Sequence, residues 1–132
     1  MWRAAFERGA VTLLVGEDDV GTIAGFGAAG PAREPMAPFE AEIYALYDLR
    51  KSQGRGLGSA LLGGLAGAQL ERGRHGALLW VFRDNLGARR FYERLGGELV
   101  GEKEETFGEV RCVEVAYGWR DLGRLTDEKP WP

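Results

Sequence analysis

An α/β fold built on a mixed, mostly antiparallel sheet is what this 132-residue sequence predicts. Three observations carry that reading. An apolar run at 40–49 (EAEIYALYDL), a helical pattern from Gly56 to about Arg72 and a second apolar run at 77–82 (ALLWVF) follow one another as strand, helix, strand. This order makes one right-handed crossover and one parallel strand pair. Segments that read as antiparallel hairpins stand on both sides of it. A further helix after residue 84 brings the main helices to two.

Taken in order, residues 1–9 are too short to assign and fit the end of a helix. Val11, Leu13 and Val15 alternate along a strand, GEDDVG supplies turn residues, and Thr22 to Ala28 resumes an apolar run, so a hairpin is expected. Residues 30–38 (GPAREPMAP) hold three prolines and a glycine and read as a loop. Strand 40–49 is rich in β-branched and aromatic residues and is expected to be buried on much of both faces. In helix 56–72 the apolar face is Leu57, Leu61, Leu62, Leu65 and Ala68, while Gly63, Gly64 and Gly67 each cost up to ~1 kcal/mol against alanine. Close packing on a neighbour would offset that cost. Asp84 or Asn85 caps the next helix, Ala88, Phe91, Tyr92 and Leu95 form its inner face, and Gly96 ends it. Residues 97–107 and 110–119 form a closing hairpin around Phe107-Gly108-Glu109, with Val113, Val115, Tyr117 and Trp119 at a period of two.

Composition narrows the function classes. The net charge of −3, from 17 basic and 20 acidic residues, gives no basic footprint for nucleic acid. One cysteine, Cys112, excludes an intrachain disulfide and fits a reducing cytosol. The start (MWRAAFERGAV) lacks the charged-then-apolar pattern of a signal peptide, and no apolar stretch approaches the ~20 residues that span a bilayer. A single cytoplasmic domain over 1–132, with its core at about 11–120 and no membrane partner, is expected. No cluster has metal-ligand spacing. His75, the sole histidine, lies in a helix exit and Cys112 on a hairpin strand; neither is expected to act.

Glycine is the outlier, 21 residues of 132. Three of them stand in SQGRGLGSALL, residues 52–62, where strand 40–49 hands over to the helix. A helix start leaves about four backbone N–H groups unpaired and carries roughly half a positive charge. Without side chains in the way, those groups can close on a phosphate. Gly54, Gly56 and Gly58 therefore suit an anion cradle with Arg50, Lys51 and Arg55 beside it, and they equally suit a tight turn alone. Neither the dinucleotide fingerprint G-x-G-x-x-G nor the P-loop pattern is present.

What is present is Q-x-x-G-x-G, as Gln53-Gly54-Arg55-Gly56-Leu57-Gly58, followed by an apolar strand and N-x-x-A-x-x-F-Y-x-x-L-G, as Asn85, Ala88, Phe91, Tyr92, Leu95 and Gly96. The two motifs together resemble the GNAT superfamily of acyl-CoA-dependent N-acyltransferases, from about residue 11 to 120. The resemblance implies that the glycine loop and Ser59 bind the pyrophosphate of coenzyme A, with Asn85 also contacting the cofactor. It implies that strand 40–49 splays from strand 77–82 at the centre of the sheet. Pantetheine then lies in the gap against backbone groups of Leu46, Tyr47 and Asp48, and the Leu46 N–H polarises the thioester. Tyr92 matches the tyrosine that protonates the departing thiolate, with a place in the apolar stripe as the alternative. Glu42, eleven residues before Gln53 in an AEI setting, matches the catalytic glutamate of histone-type members. Its alternative is a solvated strand-end carboxylate beside Glu40.

The expected function is acetyl transfer from acetyl-CoA to a primary amine in a ternary complex. The alternative is a non-catalytic CoA-binding or scaffold domain. Three departures stand out. Family members usually open with a strand and two helices before the hairpin that begins here near residue 11, so the first hairpin strand is expected to be an exposed edge that a homodimer could cover. Asp48 replaces a usual valine, and Arg50 a common proline. The acceptor amine is not legible.

Overall fold

The computed structural model describes residues 2–17, 20–48 and 56–126. Among them the chain forms seven strands in one sheet, ordered β1-β2-β3-β4-β5-β7-β6, and three helices. The strands are β1 (Trp2–Arg8), β2 (Val11–Glu17), β3 (Ile23–Met36), β4 (Phe39–Asp48), β5 (Ala77–Phe82), β6 (Glu98–Phe107) and β7 (Val110–Trp119). The helices are α1 (Leu57–Glu71), α2 (Leu86–Arg94) and the short α3 (Gly123–Thr126). Only β4 and β5 run parallel; every other neighbouring pair is antiparallel. The mixed α/β sheet with one parallel pair is the architecture the sequence predicts.

Two local expectations are corrected. Residues 2–8 are a strand paired with β2, not the end of a helix, so β2 is an inner strand and β1 takes the outer position. The run 30–38 is not a free loop, because β3 continues to Met36. The β3–β4 ladder breaks between Pro31 and Met36 and resumes with Met36 opposite Phe39. Proline cannot donate to a ladder, and the interruption is where this segment tolerates it. The resulting arm crosses the sheet: Phe39 packs its ring over Gly118 of β7, and Lys103 of β6 pairs with Glu34 at 3.2 Å.

All three helices contribute to one core on one face of the sheet. On α1 the buried stripe is Leu61, Leu62, Leu65, Ala66 and Gln69, with Ala68 only half-buried. From β7, Val115, Tyr117 and Trp119 point into that core, which explains their period of two. Ala116 and Gly118 between them are buried as well, since β7 lies between β5 and β6 and the arm covers its other face.

One of the helix glycines finds its reason here. A Cβ on Gly63 would stand 2.9 Å from the Leu125 carbonyl oxygen, so α3 lies directly on α1 at that point. At Gly67 the nearest atom would be 3.9 Å away, an ordinary contact. Gly63→Ala should therefore lower the thermal midpoint although alanine is the better helix former. Gly67→Ala should raise stability by up to ~1 kcal/mol. Thermal unfolding of the two variants side by side checks both signs.

Candidate active site

The parallel pair is brief. Its described rungs are Ala41 opposite Ala77 and Glu42 opposite Leu78, and beyond them the strands part. β4 continues on β3 as far as Asp48, and β5 continues on β7 as far as Phe82. Among the described residues, the backbone groups that face the gap past the second rung have no strand opposite them across it.

A bulge in β4 decides what faces this gap. Ala45 lies opposite Ala28 and Ile43 opposite Ala29, so Tyr44 is an extra residue in its strand. One extra residue exchanges the faces of everything after it. Ala41 and Ile43 point into the helix-side core, and Leu46 and Asp48 also come to that side, where they line a cleft of about 570 Å³. Tyr47 turns away from it: the residue is 54% exposed and its ring centroid lies 5.0 Å from that of Phe26.

The start of α1 forms another wall, through Gly56, Gly58 and Ser59. Gly56 has φ +77°, a left-handed conformation that costs an L-residue roughly 1–2 kcal/mol. Among the described residues no side chain caps α1, and its first turn carries no acidic residue, so the helix start that borders the cleft brings leading N–H groups and a partial positive charge to it. A Cβ on Gly58 would stand 3.0 Å from the ring of Phe91, which sets how closely α1 and α2 approach. Leu57 opens α1. Gln53, Gly54 and Arg55, with Arg50 and Lys51, lie outside the described residues.

Across the cleft α2 presents Asn85, Ala88, Phe91, Tyr92, Arg94 and Leu95. Asn85 is the N-cap, its Oδ1 accepting from the Ala88 N–H at 3.2 Å. That leaves its amide NH₂ for a second partner. Tyr92 is buried against Phe91, Tyr117 and Trp119, with ring centroids 5.5, 6.1 and 6.2 Å away. Burial pushes its phenol above the usual tyrosine range, with the nearby Tyr47 a smaller contributor. Three hydrogen bonds between β7 and the α2 segment fix the helix. The Trp119 Nε1–H donates to the Leu95 carbonyl at 3.0 Å, and the Tyr117 hydroxyl donates to Glu93 at 2.6 Å while accepting from Arg89 Nε at 3.0 Å.

Glu42 is elsewhere. It stands on the last rung before the strands part, outside the cleft lining, and only 2% of it is exposed. It is not a solvated strand-end carboxylate. The Arg33 backbone N–H donates to its Oε1 at 3.0 Å, and Arg33 Nε and Nη2 donate to its Oε2 at 3.2 and 2.5 Å. Arg33 belongs to the crossing arm and also lies over the Tyr44 ring, 5.4 Å from its centroid. Glu40 is exposed, near the backbone N–H of His75.

Residues 1–97 match the model of the acetyltransferase (GNAT) family. The chain belongs to that family. It thereby falls among acyl-CoA-dependent N-acyltransferases, as its two motifs imply. An uncharacterized N-acetyltransferase of Bacillus subtilis, YuaI, is 33% identical over 124 residues, covering 94% of this chain and 69% of that protein. In fold, the chain is similar to nourseothricin acetyltransferase, with a TM-score of 0.71 and 22% identity over 83% of this chain and 65% of that one. It is also similar to a streptothricin acetyltransferase from Bacillus anthracis, so described provisionally and solved with acetyl coenzyme A. The TM-score there is 0.73 at 17% identity, over 86% of this chain and 64% of the other. The chain thus spans about two thirds of the length of each of these proteins.

Sequence reading missed Arg33 and Arg94. Arg94 was within reach, because it stands three residues after Phe91 on the same helix face. Arg33 left no signal, since its partner lies nine residues away across an irregular hairpin. For Asn85 the cap yields a direct check. Asn85→Ala should lose about 1 kcal/mol in urea unfolding, and Asn85→Asp should keep most of it.

Proposed function

We propose that this chain transfers an acetyl group from acetyl-CoA to a primary amine by direct attack in a ternary complex. One observation carries the reading: the abandoned parallel pair, the uncapped glycine start of α1 and Tyr92 all border a single cleft. The streptothricin acetyltransferase of similar fold, solved with acetyl coenzyme A, supports the choice of donor.

The donor supplies the acetyl carbon and a thiolate leaving group. Backbone N–H groups at Gly56, Leu57, Gly58 and Ser59, with Gln53, Gly54 and Arg55 before them in the sequence, hold its pyrophosphate, and the Asn85 amide adds a contact. The stretch of β4 past the second rung, at Leu46, Tyr47 and Asp48, holds pantetheine, and the Leu46 N–H polarises the carbonyl. The amine nitrogen forms the new N–C bond as the C–S bond breaks. Tyr92 gives its phenolic proton to the sulfur. The amine's proton passes to Glu42, and at about 3.3 Å per residue Glu42 is roughly 13 Å from Leu46 along the strand, so water relays it. The lone Cys112 suits work in the cytosol. The homodimer reading carries over to β1, the outer strand in place of β2. A one-chain mass at micromolar concentration removes it.

The rival reading, a non-catalytic CoA-binding domain, draws on Glu42 being held by Arg33. Turnover with a panel of primary amines (spermidine, tyramine, a dipeptide with a free N-terminus) separates the two. Calorimetric binding of acetyl-CoA but not ATP, with no amine acetylated, leaves the domain non-catalytic. Tyr92→Phe should cut kcat by about 10²–10⁴-fold with acetyl-CoA affinity unchanged. Equal kcat removes Tyr92 as the acid.

The raised phenol also fixes a pH dependence. The proton-donating form of Tyr92 is present below its folded pKa and is lost as pH rises through it. That pKa lies above the ordinary value of 10.0, so kcat should show no loss from Tyr92 until beyond that pH. A loss in kcat near pH 8 that Tyr92→Phe abolishes would contradict the assignment.

A further inference from the structure

We propose that Arg33 is the positioning residue for Glu42, holding three of the carboxylate's four acceptor positions so that one stays open for the proton of the acceptor amine. The inference rests on Glu42 being the base. An ionised carboxylate offers about four lone-pair sites. Among the described residues all donors to Glu42 come from Arg33. The guanidinium edge takes both sites of Oε2, and the backbone N–H takes one site of Oε1. One site of Oε1 is left with no donor among the described residues, and Glu42 itself stands on the last rung before β4 and β5 part.

An anchor for the arm would not need this arrangement. The arm is already tied to the rest of the sheet by the Glu34–Lys103 pair, and Phe39, where the arm enters β4, packs on Gly118. The Glu42 carboxylate, in contrast, is 3% exposed and has no other described donor, whereas the Arg33 side chain is 66% exposed. The carboxylate therefore depends on the arginine for its orientation far more than the arginine depends on burial. A planar fork fixes that orientation, and a point charge does not.

The test uses the amine of the panel that the wild-type chain acetylates fastest. Arg33→Ala should lower kcat by about tenfold or more, with KM for acetyl-CoA unchanged, because a small misplacement of a reacting group is costly. Methylguanidinium, which restores the fork, should recover kcat saturably, and methylammonium at the same concentration should recover less. The double variant Arg33→Ala with Glu42→Gln should show no recovery. Should Arg33→Ala fail to bind acetyl-CoA, Arg33→Lys serves in its place. It keeps the charge and the backbone N–H, and it should lose kcat with an unchanged thermal midpoint. Glu42→Gln with full kcat overturns the base reading itself. Glu42→Gln impaired, with Arg33→Ala or Arg33→Lys at wild-type kcat, overturns the positioning role and leaves the base reading standing.

Discussion

Everything at the candidate site depends on a parallel strand pair that is made and then abandoned. Two rungs, at Ala41–Ala77 and Glu42–Leu78, register β4 against β5. Past them each strand relies on its outer neighbour, β3 on one side and β7 on the other. Seven-stranded continuity survives because those antiparallel ladders are long enough to hold the diverging strands. The gap between them is polar backbone that would be costly to leave unpaired. A ligand that fills it gains ready-made donors and acceptors and stabilises the fold by mass action. The fold and its binding function are therefore one energetic problem.

Within β4 a single residue divides the work. Because Tyr44 is extra to the ladder, Glu42 and Leu46 lie on opposite faces although their spacing is even. Leu46 joins the helices, the uncapped start of α1 and Tyr92. Glu42 lies with Leu78 and the crossing arm, where Arg33 meets it. The raised pKa of Arg33, caused first by its bonds to Glu42, fits a cation held in place by that carboxylate. A strand without the bulge would put Glu42 and Leu46 on the same side, and the carboxylate would compete with the apolar core for one face.

How much of this was legible follows from which interactions are local. The crossover, α2 with a cap at Asp84 or Asn85 and the closing hairpin rest on short-range pattern, and sequence reading finds all three; the structure puts the cap at Asn85. The two motifs identify the family because their residues stand at fixed spacing along the chain. β1 was missed because WRAAFER has no clean period, and its strand identity comes from pairing with β2. The 30–38 arm was misread because three prolines signal a loop, whereas its course depends on Gly118 and Lys103 far along the chain. On α1 the stripe was displaced toward Ala68 because no pattern of hydrophobicity foretells that the polar Gln69 is buried, with Arg74 donating to its side-chain oxygen. The bulge at Tyr44 leaves no mark in the sequence, so the facing of Glu42 was not derivable from it.

The placement of Tyr92 follows from the same contrast between local pattern and distant support. A nine-residue helix is too short to be stable by itself, and α2 contains a glycine in its first turn. Its cap fixes where it starts, but not how it lies. That is set by β7, through the Trp119–Leu95 and Tyr117–Glu93 bonds and through the three aromatic rings around Tyr92. Tyr117 is fully buried, and its hydroxyl is satisfied on both sides by Arg89 and Glu93 of the same helix. A buried phenol with two charged partners on one helix acts as a clamp, since moving α2 would strand a polar group in the core. The catalytic candidate thus stands on a short helix yet is held by one of the most buried strands of the fold. The rigidity that acid chemistry requires comes from β7, and the helix contributes only direction.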